Sequence, residues 1–386
     1  MLKGGKIGVV GLGTIGVQEL ALWRRAGKTS VGYDISPDRI KQLTDTGVSA
    51  RLADLDDCDI LILCLPNLDA EGLISTEAFE TFLTDFGRLP QRNRLVVVAS
   101  TVPIGYTRYL GERLGPGTVV AHAPERFNPG ATTQLGEIPR VIGALNQAGR
   151  DLTDALYREA GVETHIVDSV EVAEASKLLE NSFRLVNIAF VNEFAELCRR
   201  LGIPAADVID AAGTKPFGFM AHYPGVGAGG PCIPIVPRFL VEAAEAHHLR
   251  MPILEAALTG NESISERVAS QLNDLLAAGN GSRKRVLVVG ATYKPDYPDV
   301  RGSAALRFAT SLAAHHDIVL FDPIAELKVM PKSLALRRTM PEGERFDAVV
   351  IALKHRDTDM DALRRLSPIL MDLVRGHVEV GESVRS

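Results

Sequence analysis

The stretch KIGVVGLGTIG, residues 6–16, leaves a chain few choices. A short β-rich run leads into Gly11, Gly13 and Gly16, and the amphipathic segment VQELALWRRAG that follows reads as a helix closed by Gly27. SVGYD then reads as a second strand ending in Asp34, 18 residues beyond Gly16. G-x-G-x-x-G between a strand and a helix, with an acidic residue at the end of the next strand, is the dinucleotide-binding form of a Rossmann unit. The glycines let the backbone approach a pyrophosphate, and the helix N-terminus offers unpaired N–H groups and partial positive charge. Asp34 can bond both ribose hydroxyls and repels a 2′-phosphate, so NAD is expected rather than NADP. Arg39, just after it, reads as a surface helix residue within reach of the adenosine ribose.

DILILCLP and RLVVVAS continue as short apolar runs, as expected of strands buried on both faces. After about residue 168 the pattern turns helical, with some thirty unbroken residues from EVAEASKLLENSFRL onward, apolar on more than one face. Such a helix suits burial between domains or subunits. Strand–helix alternation returns from Arg285 with RVLVVG, DIVLFDP, DAVVIALKH and ILMDL, echoing the N-terminal half. The expected fold is therefore α/β, with two Rossmann-like parallel-sheet domains joined by a central helical domain that holds one long helix. The expected boundaries are 1–168, 169–280 and 281–386. A chain of 386 residues exceeds one compact core, which agrees with several domains.

A net charge of −6 with no basic block argues against sequence-independent nucleic-acid binding. No apolar run approaches membrane-spanning length, and the first strand begins too early for a signal peptide. Cys58, Cys64, Cys198 and Cys232 are far apart and fit no zinc spacing, so no metal site is expected and a reducing, cytoplasmic setting is. Cys232 differs from the other three. It sits in GVGAGGPCIPIVPRFL, between glycines that allow close approach and prolines that stiffen the chain. Locally this reads either as a reactive thiol or as a tight loop with a buried cysteine.

Four further pieces stand out: STVPIGYTR with Thr101, APERFNPG with Glu125, TKPFGFMAHYPG before the Cys232 loop, and a helical face carrying Lys177, Asn181 and Arg184 at i, i+4 and i+7. Together with GLGTIG, GGPCIP and YKPDYPDVRGS, their order and spacing resemble the UDP-glucose/GDP-mannose dehydrogenase family over essentially the whole chain. TKPFGFMAHYPG looks most like the branch acting on UDP-N-acetylhexosamines. The resemblance implies a homodimer held by the central domain and a UDP-sugar on the C-terminal domain. It also implies a two-step, NAD-dependent oxidation at C6, from alcohol through aldehyde to uronic acid. In that chemistry Cys232 is the nucleophile, Lys177 and Asn181 hold the oxyanion, and Glu125 orients or activates water. Thr101 and Arg301 fall at cofactor positions, and Arg184, Phe219, Tyr223, Gly229 and Lys294 at substrate positions.

The chain also departs from the family. The family places an aspartate four residues after the cysteine, where this chain has Val236, and Pro231 precedes the thiol where His or Ser is common. Thr14 and Gln18 stand where relatives often carry an aromatic residue and a proline. Three readings stay open: a complete dehydrogenase using Glu125 or Lys177 as base, an oxidase that stops early or takes an unusual nucleotide sugar, and a silent relative that only binds NAD and UDP-sugar. Retention of Cys232, Lys177 and Asn181 argues against the last. A hydroxyacid dehydrogenase would need neither the thiol nor the second sheet.

Overall fold

The computed structural model describes residues 5–43, 47–69, 72–90, 92–127, 130, 133–277, 283–326, 331 and 334–380. Asn128 and Pro129 of the PERFNPG stretch, and the expected boundary at 280/281, lie outside the described residues. The chain divides into two compact units, 1–180 and 181–386.

The first unit is built on an eight-stranded sheet. Its strands are β1 (Ile7–Val10), β2 (Ser30–Tyr33), β3 (Val48–Ser49), β4 (Ile60–Leu63), β5 (Arg94–Val98), β6 (Thr118–His122), β7 (Arg140–Ala144) and β8 (Thr164–Ile166). They lie in the order β3-β2-β1-β4-β5-β6-β7-β8. β1 is parallel to both β2 and β4, with Ile7 beside Ser30 and Ile60, so the chain reverses its direction of travel across the sheet at β1. Ligands bind at the carboxyl ends of strands at such a switch point. Alternation along the strands explains the continuous apolar runs. Ile60, Ile62, Leu95 and Val97 pack with Leu20 and Trp23 of α1 (Thr14–Arg25) and Leu156 of α5 (Gln147–Glu159). Leu61, Leu63, Val96 and Val98 face the other way, onto Phe79 and Phe82 of α3 (Glu77–Phe86) and Leu110 of α4 (Tyr106–Leu114).

The sheet is not wholly parallel. β7 runs antiparallel to β6, and β8 then pairs parallel with β7. An antiparallel neighbour needs no crossover helix, and among the described residues of the 123–139 connection there is only the short 3-10 turn Leu135–Glu137.

The long helix α6 runs Val170–Leu201, 32 residues, and the division between the units falls within it. In the second unit, Leu185 and Ala189 of α6 pack with Leu254, Ala257 and Leu258 of α9 (Pro252–Ala277) and with Leu240 of α8 (Val236–Ala246). α7 (Ala205–Gly213) precedes them. A six-stranded sheet follows, made of β9 (Arg285–Val289), β10 (Asp317–Phe321), β11 (Ala335–Arg337), β12 (Ala348–Ile351), β13 (Ile369–Asp372) and β14 (His377–Val380). Its order is β11-β10-β9-β12-β13-β14, parallel except for the last pair, with α10 (Ala304–Ala313) and α11 (Met360–Leu366) on opposite faces. Its first five strands repeat the β3-β2-β1-β4-β5 order, and the glycine after the first strand repeats too. A Cβ on Gly11 would meet the carbonyl of Cys64 at 2.6 Å, and one on Gly290 that of Leu353 at 2.5 Å, both glycines having positive φ.

Candidate functional site

In the first unit the glycine turn is held at both sides. The Gly11 amide donates to Tyr33 O and the Cys64 amide to Val10 O, each at 2.8 Å. Gly16 carries the turn into α1 so closely that a Cβ would lie 1.8 Å from Gly11 O. Gly13, the N-cap residue, has nothing within 4 Å of such a Cβ among the described residues. Gly13 has no side chain with which to cap α1, and no acidic residue stands in the helix's first turn. The residues at this helix end fit a pyrophosphate, with an open approach at Gly13 and no carboxylate in the first turn to repel it.

Asp34 follows β2 and accepts from Leu12 N at 2.8 Å and Ser36 N at 2.9 Å, one bond to each carboxylate oxygen. The further lone pairs on each oxygen suit ribose hydroxyls. Beside it lies a cavity of about 410 Å³ bounded by Tyr33, Leu65, Ala78 and Phe82, and lined also by Asp34, Asp69, Glu77 and Asp85. Local sequence did not single out those last three carboxylates, because the fold alone gathers them. Arg39 Nε donates to Leu12 O at 2.7 Å, so this cation braces the glycine turn. Thr101 follows β5, and its carbonyl accepts from Asn67 Nδ2 at 3.0 Å.

The Glu125 backbone N–H donates to Ala99 O at 3.0 Å, and its Oε2 accepts from Phe127 N at 2.8 Å. Its Oε1 faces Lys177 Nζ at 3.6 Å, both side chains being mostly buried. These two predicted residues therefore meet within one unit. Glu174, one turn before Lys177, anchors this part of α6. Its carboxylate accepts from Gly105 N at 2.6 Å and Thr107 N at 2.7 Å, filling the N-terminus of α4. Its part could not be read from EASK, since its partners lie almost seventy residues away.

The second unit holds the cysteine loop. Gly230 N donates to Gly302 O at 3.3 Å. A Cβ on Gly229 would fall 2.7 Å from Gly302 O, and one on Gly230 2.5 Å from the Tyr293 ring. The glycines of GAGGPC thus let this loop lie directly on the loop that carries Tyr293 and Lys294. Val236 N donates to Cys232 O at 2.8 Å, so the thiol stands on the turn that opens α8. Cys232 is exposed, whereas Val236 is buried. Lys294 is pushed down to about 8 by burial and by Arg184, with Cys232 acting in the opposite sense. Asn181 is buried, and its Nδ2 has no hydrogen-bond partner among the described residues. Arg301 is held by Asp299 at 2.6 Å, the Tyr223 hydroxyl donates to Asp210, and Phe219 is exposed.

The aspartate after β10 is the counterpart of Asp34, but it is sealed. Asp322 Oδ2 accepts from Ala291 N (2.7 Å), Thr292 N (3.2 Å) and His355 Nε2 (3.0 Å), and Oδ1 from Ile324 N (3.0 Å) and Ala325 N (2.9 Å). The Asp296 amide donates to His355 Nδ1, which assigns the proton to Nε2. Unlike α1, α10 has a side-chain cap, Ser303 Oγ, which accepts from Leu306 N. The second sheet therefore offers neither the ribose aspartate nor the open helix end of the first.

The N-terminal Rossmann sheet, with its glycine turn and accessible aspartate, is that of a nicotinamide-dependent oxidoreductase. Comparison with known proteins carries this further. The central-domain profile of the UDP-glucose/GDP-mannose dehydrogenase family matches residues 171–263, and the UDP binding domain profile of the same family matches 287–374. UDP-N-acetyl-D-glucosamine 6-dehydrogenase of Pseudomonas aeruginosa is 29% identical over 392 residues, covering 92% of each chain. UDP-N-acetyl-D-mannosamine dehydrogenase of Pyrococcus horikoshii is 29% identical over 91% of this chain and 89% of that one. The solved structure of a UDP-D-ManNAc dehydrogenase from Pyrococcus horikoshii superposes with a TM-score of 0.84 at 26% identity, over 98% of this chain and 97% of that one. Two domain profiles of one family thus match this chain, and relatives aligned over about nine-tenths of it carry UDP-sugar dehydrogenase names, which together support a nucleotide-sugar dehydrogenase.

Proposed function

We propose that this protein oxidises the C6 alcohol of a UDP-N-acetylhexosamine with NAD, through a covalent intermediate on Cys232, and that release of the acid is slow. The observation that carries the reading is the exposed Cys232, fixed by glycine packing onto the Lys294 loop. The names of the two 29% identical relatives support the substrate class. The cavity beside Asp34 supports NAD over NADP, since Asp34, Asp69, Glu77 and Asp85 would repel a 2′-phosphate.

Gly11, Gly13, Gly16 and Asp34 would hold NAD, with Arg39 bracing the turn, and one NAD for each of the two oxidations would supply the hydride acceptor. Lys177 and Asn181 stabilise the oxyanion at C6 as the alcohol loses its proton. Cys232 then adds to the aldehyde as thiolate, giving a thiohemiacetal. Loss of a second hydride leaves a thioester, and water cleaves it to the uronic acid and free thiol. The last step needs a base. Val236 cannot serve, and we assign the orienting of water to Glu125, which is paired with Lys177. Lys294, Arg184, Tyr223, Phe219 and Gly229 belong to the sugar-nucleotide side and Thr101 and Arg301 to the cofactor side, with domains dividing near 168 and 280.

A homodimer fits the exposed apolar stripe on α6. Leu179, Phe183, Phe190, Leu197 and Leu201 recur at steps of four and seven along one face. Among the described residues no helix is long and apolar enough to cross a membrane, and a cytoplasmic location fits the reading. The test is product mass and NADH yield across a panel of UDP- and GDP-sugars, with Cys232→Ala alongside. Oxidation of UDP-N-acetylhexosamines that stops at the aldehyde in Cys232→Ala is expected. An undiminished acid yield from that variant would remove the thiol from the mechanism.

A further inference from the structure

One buried ion pair in the first unit has no place in that scheme. Glu19 of α1 and Arg140 of β7 are both buried, with Arg140 Nη2 2.5 Å from Glu19 Oε1. Trp23, Cys64, Tyr157 and the Glu125 carboxylate lie around them, with the guanidinium 4.8 Å from the centre of the Tyr157 ring. Glu19 Oε2 has no hydrogen-bond partner among the described residues. An ion pair so placed, with one oxygen unsatisfied, is a poor source of stability, and well-packed apolar residues often serve as well or better.

What the pair does make is a connection. Arg140 Nη1 donates to Ala123 O at 3.3 Å, two residues before Glu125. A second arginine grips the same segment, with Arg126 Nη1 donating to Pro139 O at 3.1 Å and Nη2 lying 2.6 Å from Glu180. Glu19 stands one turn beyond Gly16, on the helix whose N-terminus is the anion site. We infer that Glu19 and Arg140 are positioning residues that fix the 123–127 segment, and so Glu125, against the helix of the glycine turn. This rests on the role proposed for Glu125, but the geometry can be tested apart from it. Arginine suits the task because its rigid fork reaches a carboxylate and a carbonyl at once.

The test uses Glu19→Leu/Arg140→Met, which replaces the pair by apolar volume, and Arg140→Lys, which keeps the charge and loses the fork. Amide hydrogen exchange is followed at Glu125 and Phe127, whose N–H groups bond Ala99 O and the Glu125 carboxylate. Exchange at both should rise about tenfold or more in each folded variant, while Val96 and Val98 stay protected. Acid formation from supplied aldehyde should fall about tenfold or more in kcat, with NAD affinity within about threefold of the parent. Unchanged exchange at Glu125 and Phe127 in a folded variant overturns the inference. Glu125→Gln in the parent keeps the two ideas separate. If it leaves acid formation untouched, the role of Glu125 fails, and the exchange data still decide the role of the pair.

Discussion

Gly13 and Gly16 lie three residues apart in one motif, yet the structure assigns them different work, and alanine should separate it. At Gly16 a Cβ would stand 1.8 Å from Gly11 O and 2.9 Å from Gly11 C. Ordinary contact requires α1 to back away by roughly 1.5 Å or more. Overpacking of that kind costs about 1–3 kcal/mol, which for a unit of this size lowers Tm by roughly 3–10 °C. At Gly13 the backbone (φ −66°, ψ −165°) is open to any residue, and the new methyl meets no atom of the described residues within 4 Å. Reduced freedom in the unfolded chain favours alanine by about 0.4–1 kcal/mol, and loss of a glycine cap offsets a comparable amount, so Tm should barely move. On the proposed NAD site, the methyl would occupy the space through which a pyrophosphate reaches the helix N–H groups. Losing one charge-assisted bond there is worth about 1.5–3 kcal/mol, or roughly 10- to 100-fold in Kd. Thermal unfolding and NAD calorimetry on the two variants give the answer. Parent-like NAD affinity in Gly13→Ala, or parent-like Tm in Gly16→Ala, would refute the reasoning.

Other consequences follow from the second unit. Lys294, pushed down to about 8, is a cation below that pH and neutral above it. UDP-sugar affinity should therefore fall as pH rises from 7 to 9, by up to about tenfold, with a proton taken up on binding near pH 8; calorimetry in buffers of differing ionisation enthalpy reads both, and Lys294→Met should abolish them. Burial works against the charge on Asp322, but His355 and the amides of Ala291 and Ile324 hold its carboxyl below the usual range. Its stabilising contribution is thus present above the unfolded carboxylate range and lost as pH falls through the folded value. Asp322→Ala should cost about 3–5 kcal/mol in denaturant titration at pH 7, and a loss under about 1 kcal/mol would deny the network its weight. Val236→Asp buries a carboxylate at the first turn of α8, so Tm should drop while acid formation accelerates; a slower acid step would show that position 236 is not where the base is missing.

How much was legible depended on the range of the interaction. The glycine turn and Asp34 were readable because a strand, a turn and a helix start are local. α6 was readable because its periodicity runs unbroken over 32 residues. The strand-end aspartate of the second half was visible in DIVLFDP, but its fate was not. Asp34 stays accessible beside a cavity, whereas Asp322 is closed off by five donors, one of them from His355, thirty-three residues on. The reversal at β7, the Glu174 cap on α4 and the Glu19–Arg140 pair were equally hidden, since each joins segments far apart in the chain. Val236 was noticed only as a departure from a family pattern, and its burial came from the fold.

The most direct test of the central claim is intact-mass spectrometry of the protein after mixing with NAD and a UDP-N-acetylhexosamine, with NADH followed in the same reaction. Absence of the base typically slows the step it serves by about 10²–10⁴-fold, while the hydride transfers do not need it. A rapid burst of two NADH per chain, an acyl-sugar adduct on Cys232, loss of that adduct in Cys232→Ala, and a slow later phase are expected. Two NADH per uronic acid at an ordinary turnover rate, with no burst and no adduct, would contradict the account.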